Sequence, residues 1–122
     1  MLKLNIFIVE DSPIIAAALK HLVIRLGHTV VGVSESYEDA VVQLDRVEID
    51  MVITDIMLSG TKNGIDLGAY IKANFNLPVI YHSSITDTTM ICNAMRTDPV
   101  AYLVKPVSRV DLSTALLSVE AA

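Results

Sequence analysis

Five apolar, strand-like runs begin near residues 4, 29, 51, 78 and 101, at intervals of 25, 22, 27 and 23 residues. That spacing constrains the fold more than any other feature. Each interval has room for a loop, a helix of about three turns and a second loop. Strands that alternate with helices pair in parallel, because parallel neighbours need crossovers. Three of the runs are continuously apolar, as expected where helices cover both faces of a sheet. The pattern predicts an α/β fold of the (βα)5 type, in one domain over residues 1–122. With 122 residues, 52% of them hydrophobic, the chain can bury a core and is too apolar to be disordered.

The intervals carry helix-start signals. Ser12-Pro13 supplies an N-cap followed by proline at the first helical position. Ile14, Ile15, Ala18, Leu19, Leu22, Val23 and Leu26 then recur at helical period, and Gly27 is a suitable stop. Ser36 with Asp39, Asn63 with Asp66 and Ser108 with Asp111 resemble capping boxes for the second, third and fifth helices. Thr86 is the expected cap of the fourth, with Met90, Ile91, Ala94 and Met95 as its apolar face.

Four of the runs end in residues suited to phosphoryl chemistry. They lead into Glu10-Asp11, Asp55, Ser83 and Lys105-Pro106. In a parallel sheet these ends share one edge, and the carboxyl edge of an open α/β sheet is where ligands bind. Three carboxylates there repel one another unless a hard divalent cation sits among them; Mg2+, which keeps waters and accepts phosphate oxygens, suits such a set. The Asp55 carboxylate could attack phosphorus, Lys105 would place a fixed positive charge on phosphoryl oxygens, and Ser83 offers one hydroxyl donor.

Other classes are disfavoured. Fourteen acidic against nine basic residues give a net charge of −5, which lacks the basic footprint of a nucleic-acid binder. No apolar run approaches the ~20 residues needed to cross a bilayer, and the first residues do not read as a signal peptide. Cys92 is the one cysteine, so no internal disulfide forms, and a reducing cytoplasmic location is expected.

Val9-Glu10-Asp11-Ser12, Thr54-Asp55-Ile56-Met57-Leu58, Asn63-Gly64-Ile65-Asp66-Leu67, Pro78 through Ser84 and Tyr102-Leu103-Val104-Lys105-Pro106 occur in order along the chain. Together they make the sequence resemble, over nearly its full length, the receiver domains of two-component response regulators. The resemblance implies a flavodoxin-like three-layer sandwich with a five-stranded parallel sheet in order 2-1-3-4-5. Asp55 would be the phosphoacceptor, taking its phosphoryl group from a phosphohistidine on a sensor histidine kinase or phosphotransfer protein. Glu10, Asp11, Asp55 and the backbone carbonyl of Met57 would hold Mg2+, with Mn2+ as a substitute. Ser83 and Lys105 would bind the phosphoryl oxygens, Ser83 and Tyr102 would form the switch, and the bond before Pro106 is a candidate for the cis form. The face made by the fourth helix, fifth strand and fifth helix would engage a downstream target or the chain's own output domain. The domain would stand alone or form the N-terminal part of a longer regulator, with a phosphorylation-dependent homodimer left open.

The sequence departs from the family pattern in several places. Glu10 stands where Asp is commoner, and Gly64 follows Asp55 by nine positions, one more than usual. Asp98 stands where Gly is common, and Asp tolerates left-handed geometry better than most residues. Met57 and Ile85 flank the expected path of attacking water, and both being apolar predicts slow self-dephosphorylation. His82 is expected to be a packed, hydrogen-bonded histidine, His28 a turn residue, and Cys92 a small filler on the fourth helix. Met51, Met57, Met90 and Met95 read as core or interface packing.

Two other functions compete. An aspartate-nucleophile phosphatase would want a general acid/base carboxylate two residues after the nucleophile, where this chain has Met57. A degenerate binding-only receiver would not need the full set of Glu10, Asp11, Asp55 and Lys105.

Overall fold

A computed structural model describes residues 3–121. Along the chain it runs β1 (Asn5–Val9), α1 (Pro13–Arg25), β2 (Thr29–Ser34), α2 (Tyr37–Leu44), β3 (Met51–Thr54), α3 (Gly64–Asn74), β4 (Val79–Ser83), α4 (Thr88–Met95), β5 (Ala101–Val104) and α5 (Arg109–Ala121). The strands form one parallel sheet in the order β2-β1-β3-β4-β5. The expected topology is therefore the observed one.

The continuous apolar runs are explained by two cores, one on each face of the sheet. Ile6, Ile8, Met51, Ile53 and Ile80 pack with residues of α1 and α5. Their neighbours Phe7, Val9, Val52, Val79 and Tyr81 pack with residues of α2, α3 and α4. Side chains alternate along each strand, so a strand covered on both sides needs apolar residues at every position. Each fully buried residue of this size contributes about 1.5–3 kcal/mol.

Most helix starts follow the sequence signals. Ser12 caps α1 by accepting the Ile15 N–H, and Ser36 caps α2 by accepting the Asp39 N–H. Asn63 and Asp66 form a reciprocal capping box on α3. On α2 the Asp39 carboxylate does not close a box; it accepts from the Ser34 hydroxyl and the Gln43 amide. The cap of α4 is Asp87 rather than Thr86, with the Asp87 carboxylate accepting the Met90 N–H at 3.1 Å. A carboxylate is the better acceptor at a helix N-terminus, where it also meets the helix dipole. Gly27 and Asp98 both have positive φ, as their positions after α1 and α4 suggested. The Lys105–Pro106 bond is cis.

The inward faces of α1 and α4 are narrower than their periodicity implied. On α1 the buried residues are Ala16, Leu19 and Val23, whereas Ile14 is 82% exposed. Ile14, Ile15 and Ala18 instead line a cavity of about 500 Å3 shared with Pro106 and Val107. On α4 only Ala94 is fully buried; Met95 and Cys92 are exposed, so Cys92 is not core filler. Met57 is also exposed. His28 is buried, and its Nδ1 accepts the Leu4 N–H at 3.0 Å.

Gly64 lets α3 start directly under the end of β3. Its N–H donates to the Ile56 carbonyl at 2.7 Å, and a Cβ built there would overlap the Asp55 carbonyl oxygen. A backbone oxygen anchored at the end of a sheet strand cannot swing aside as a side chain can. Gly64→Ala is therefore expected to cost about 2–3 kcal/mol, the upper part of the overpacking range. Urea denaturation of the two proteins measures it, and a loss under about 0.5 kcal/mol would show that the contact is soft.

Candidate functional site

Three side chains at the carboxyl edge share one backbone device. Each lies one residue beyond its strand, yet its N–H still bonds to the last residue of a neighbouring strand. Glu10 donates to Ser34 at 2.8 Å, Asp55 to Val9 at 2.9 Å and Lys105 to Ser83 at 2.9 Å. The backbone is thus fixed by the sheet while the side chain is free of the two packed faces.

The device brings the acids together. Carboxylate oxygens of Glu10, Asp11 and Asp55 all lie within 4.8 Å of one another. Lys105 bridges two of them, with its Nζ 2.6 Å from Glu10 Oε1 and 2.8 Å from Asp55 Oδ2. The remaining oxygens are also held: Glu10 Oε2 accepts the Ser12 N–H at 3.0 Å, and Asp55 Oδ1 accepts the Ile56 N–H at 2.7 Å. Glu10 and Asp55 are buried while Asp11 is exposed. The cluster is therefore open on the Asp11 side. An all-oxygen donor set with an open side fits a hard divalent cation that retains part of its water shell.

Burial and charge pull in opposite directions here. Burial raises the Glu10 pKa above the ordinary carboxylate value, outweighing the Lys105 ammonium and the Ser12 N–H. Burial alone would lower Lys105, but Asp55 and Glu10 outweigh it and raise its pKa, so the ammonium persists.

The structure places Ser83 and Tyr102 around a single residue, Ile85. The buried Ser83 Oγ accepts the Ile85 N–H at 3.1 Å. The Tyr102 hydroxyl donates to the Ile85 carbonyl at 2.7 Å, and its ring packs 6.3 Å from that of Tyr81. Ser83 lies at the same edge as the acids, with its hydroxyl turned to the loop. Ser84, which alternation turns to the other side, is exposed rather than packed. Met57 lies two residues after Asp55, in the loop beyond β3.

Sequence reasoning missed the role of Ile85 and the setting of His82. His82 is 1% exposed, but its Nε2 has no hydrogen-bond partner among the described residues. The nearest carboxylate oxygen is Glu10 Oε1, at 3.8 Å, too far for a hydrogen bond. His82 is thus packed but not hydrogen-bonded at Nε2 as expected. Burial, followed by the Lys105 charge, lowers its pKa to about 4, so it is neutral at pH 7 and makes no ion pair.

The family model described as "Response regulator receiver domain" matches residues 6–117. The phyllosphere-induced regulator PhyR of Methylorubrum extorquens is 29% identical over 92% of this chain and 42% of its own length. The positive alginate biosynthesis regulatory protein of Pseudomonas aeruginosa is 32% identical over 93% of this chain and 46% of its own. The chain therefore spans less than half the length of these two relatives. The signal receiver domain of a modulated diguanylate cyclase from Desulfovibrio desulfuricans superposes with a TM-score of 0.91 at 32% identity, covering 98% of this chain and 96% of that one.

The lowered His82 pKa has a consequence for stability. Its folded-state value of about 4 lies below the ordinary 6.5. On acidification the unfolded chain takes up a proton that the folded chain refuses, so stability falls between about pH 6.5 and 4, by about 3 kcal/mol once both values are passed. Glu10, with its raised pKa, acts in the opposite sense. The stability difference between wild type and His82→Leu isolates the histidine, and it should shrink steadily across that window in urea titrations. A difference that stays constant with pH would refute it.

Proposed function

The chain belongs to the response regulator receiver family of two-component systems, and on that premise we propose that Asp55 is its phosphoacceptor. The observation that carries this reading is Lys105 bridging Asp55 and Glu10, with Asp11 beside them. A carboxylate that is buried, desolvated and held next to a fixed cation is arranged for attack on a phosphoryl group.

The donor is a phosphohistidine on a sensor kinase or phosphotransfer protein. A carboxylate oxygen of Asp55 forms the O–P bond as the P–N bond breaks, and the imidazole leaves with the electron pair and takes up a proton. Lys105 and Ser83 bind the transferred oxygens. Glu10, Asp11, Asp55 and the Met57 carbonyl would hold Mg2+, or Mn2+ in its place, and the bound ion would supply positive charge between the carboxylates and the incoming group. The domain catalyses this transfer and its own dephosphorylation, and turns over no other substrate.

The switch runs through Ile85. If the Ser83 hydroxyl turns to a phosphoryl oxygen, the Ile85 N–H loses its acceptor. The loop then moves, and with it the carbonyl that holds Tyr102. The changed surface is the α4-β5-α5 face, which carries the exposed Met95, Val104, Val110 and Leu117. That face would dock a target, an output domain or, after phosphorylation, a second copy. No helix among the described residues is long and apolar enough to cross a membrane, in keeping with a cytoplasmic signalling role.

Incubation with Mg2+ and a small phosphodonor, followed by intact mass measurement, tests the assignment. One persistent phosphoryl adduct is expected on wild type and none on Asp55→Asn. Absence of the adduct on wild type would indicate a binding-only domain, and continuous phosphate release would indicate a hydrolase. The Tyr102 contact is tested separately. Tyr102→Phe removes one neutral hydrogen bond and should lower the stability of the unphosphorylated domain by about 1 kcal/mol. An unchanged urea midpoint would show that the Ile85 contact holds nothing.

A further inference from the structure

Glu10 is a buried carboxylate whose Oε1 has one strong partner, the Lys105 ammonium at 2.6 Å. That partner is shared with Asp55. When Asp55 carries a phosphoryl group, two forces draw Lys105 away from Glu10. The phosphoryl oxygens offer it more negative charge than one carboxylate does, and a divalent cation among the acids repels it. Glu10 Oε1 would then face the cation without the N–H donor that now holds it, and a buried carboxylate aimed at a metal is best fixed by a hydrogen-bond donor as well.

His82 Nε2 is the replacement within reach. It is buried, unpartnered among the described residues and 3.8 Å from Glu10 Oε1. A modest turn of the Glu10 side chain closes that gap to hydrogen-bond length, near 2.9 Å. We propose that His82 is a positioning residue for Glu10, whose Nε2–H takes over the Oε1 atom when Lys105 turns to the phosphoryl group. The inference rests on the phosphoacceptor reading above and extends it to a residue that touches neither the phosphoryl group nor the metal. The ring stays neutral throughout. It carries one N–H, for which the Val9 backbone and Glu10 Oε1 compete, and an Oε1 freed from Lys105 favours the tautomer that puts the proton on Nε2.

The contact keeps Glu10 aimed at the metal in the loaded state. Partners of this kind, one step removed from a metal, typically change its affinity by about 10–100-fold. The longer Glu10 arm, with one more rotatable bond than Asp, has the greater need of a second anchor.

Beryllium fluoride with Mg2+ provides a stable analogue of the phosphorylated state. The 15N spectrum of the His82 ring is recorded without and with it. With the analogue, Nε2 is expected to carry the proton, in a hydrogen-bonded signal that exchanges slowly with water. In parallel, Mg2+ affinity is measured with and without beryllium fluoride. The ratio of the two affinities should fall about tenfold in His82→Leu and return towards wild type in His82→Gln, which keeps an N–H at similar reach. A bare Nε2 in the loaded wild type, or an unchanged ratio in the leucine variant, would overturn the role of His82 alone. A wild type that takes up no beryllium fluoride, like Asp55→Asn, would overturn the phosphoacceptor reading and this inference with it. The wild-type spectrum decides the matter even if the leucine variant does not fold.

Discussion

The Lys105 ammonium is what allows the rest of this site to exist. Two unit charges about 4 Å apart interact by about 4 kcal/mol at an effective dielectric of 20. Glu10, Asp11 and Asp55 lie within 4.8 Å of one another, two of them buried. Without a cation, such a set would protonate or move apart. Lys105 lies 2.6 and 2.8 Å from the two buried members and leaves the exposed Asp11 side free. Its backbone N–H, bonded to Ser83, fixes the root of the side chain to the sheet. The charge is therefore held by the fold rather than by the acids it neutralises.

The parallel sheet makes that arrangement available from distant parts of the sequence. Glu10, Asp55 and Lys105 each use the first backbone position after a strand, where the ladder still takes the N–H but the packed layers no longer take the side chain. Inside the central strands β1, β3 and β4 most side chains belong to one of two cores. One step further on, polar groups can converge without disturbing either. Burial by the surrounding loops then supplies the low polarity that strengthens each contact.

This division explains what could be read in the sequence. Strand positions were legible because a doubly covered strand must be apolar throughout, and caps such as Ser12, Ser36 and Asn63 were legible because capping is local chemistry. Glu10, Asp11, Asp55 and Lys105 were legible as residues that interrupt an apolar pattern at its end. The Asp87 cap was less so, since Thr86 beside it carries a similar signal. The exposure of Ile14 depends on how α1 lies against the segment holding Pro106 and Val107, a tertiary property without local trace. Ile85 and His82 were illegible for a related reason. Their importance comes from what a backbone carbonyl or a ring nitrogen faces across the fold, and no residue type announces that.

The Ile85 junction sets a scale for the proposed switch. Its N–H and carbonyl are tied to Ser83 and Tyr102 by two neutral hydrogen bonds. At about 1 kcal/mol each, they favour the unphosphorylated arrangement by roughly 30-fold. Packing of the half-buried Tyr102 ring against Tyr81 adds to this, but that ring is not locked in a core. A phosphoryl group that gains two charge-assisted hydrogen bonds, from Ser83 and Lys105, has more than enough free energy to reverse such a bias. The loop does not need to be strained or loosely packed to respond. It needs only that the same hydroxyl serve two acceptor and donor arrangements that cannot coexist, and Ser83, with one hydroxyl between the Ile85 N–H and the acid cluster, meets that condition.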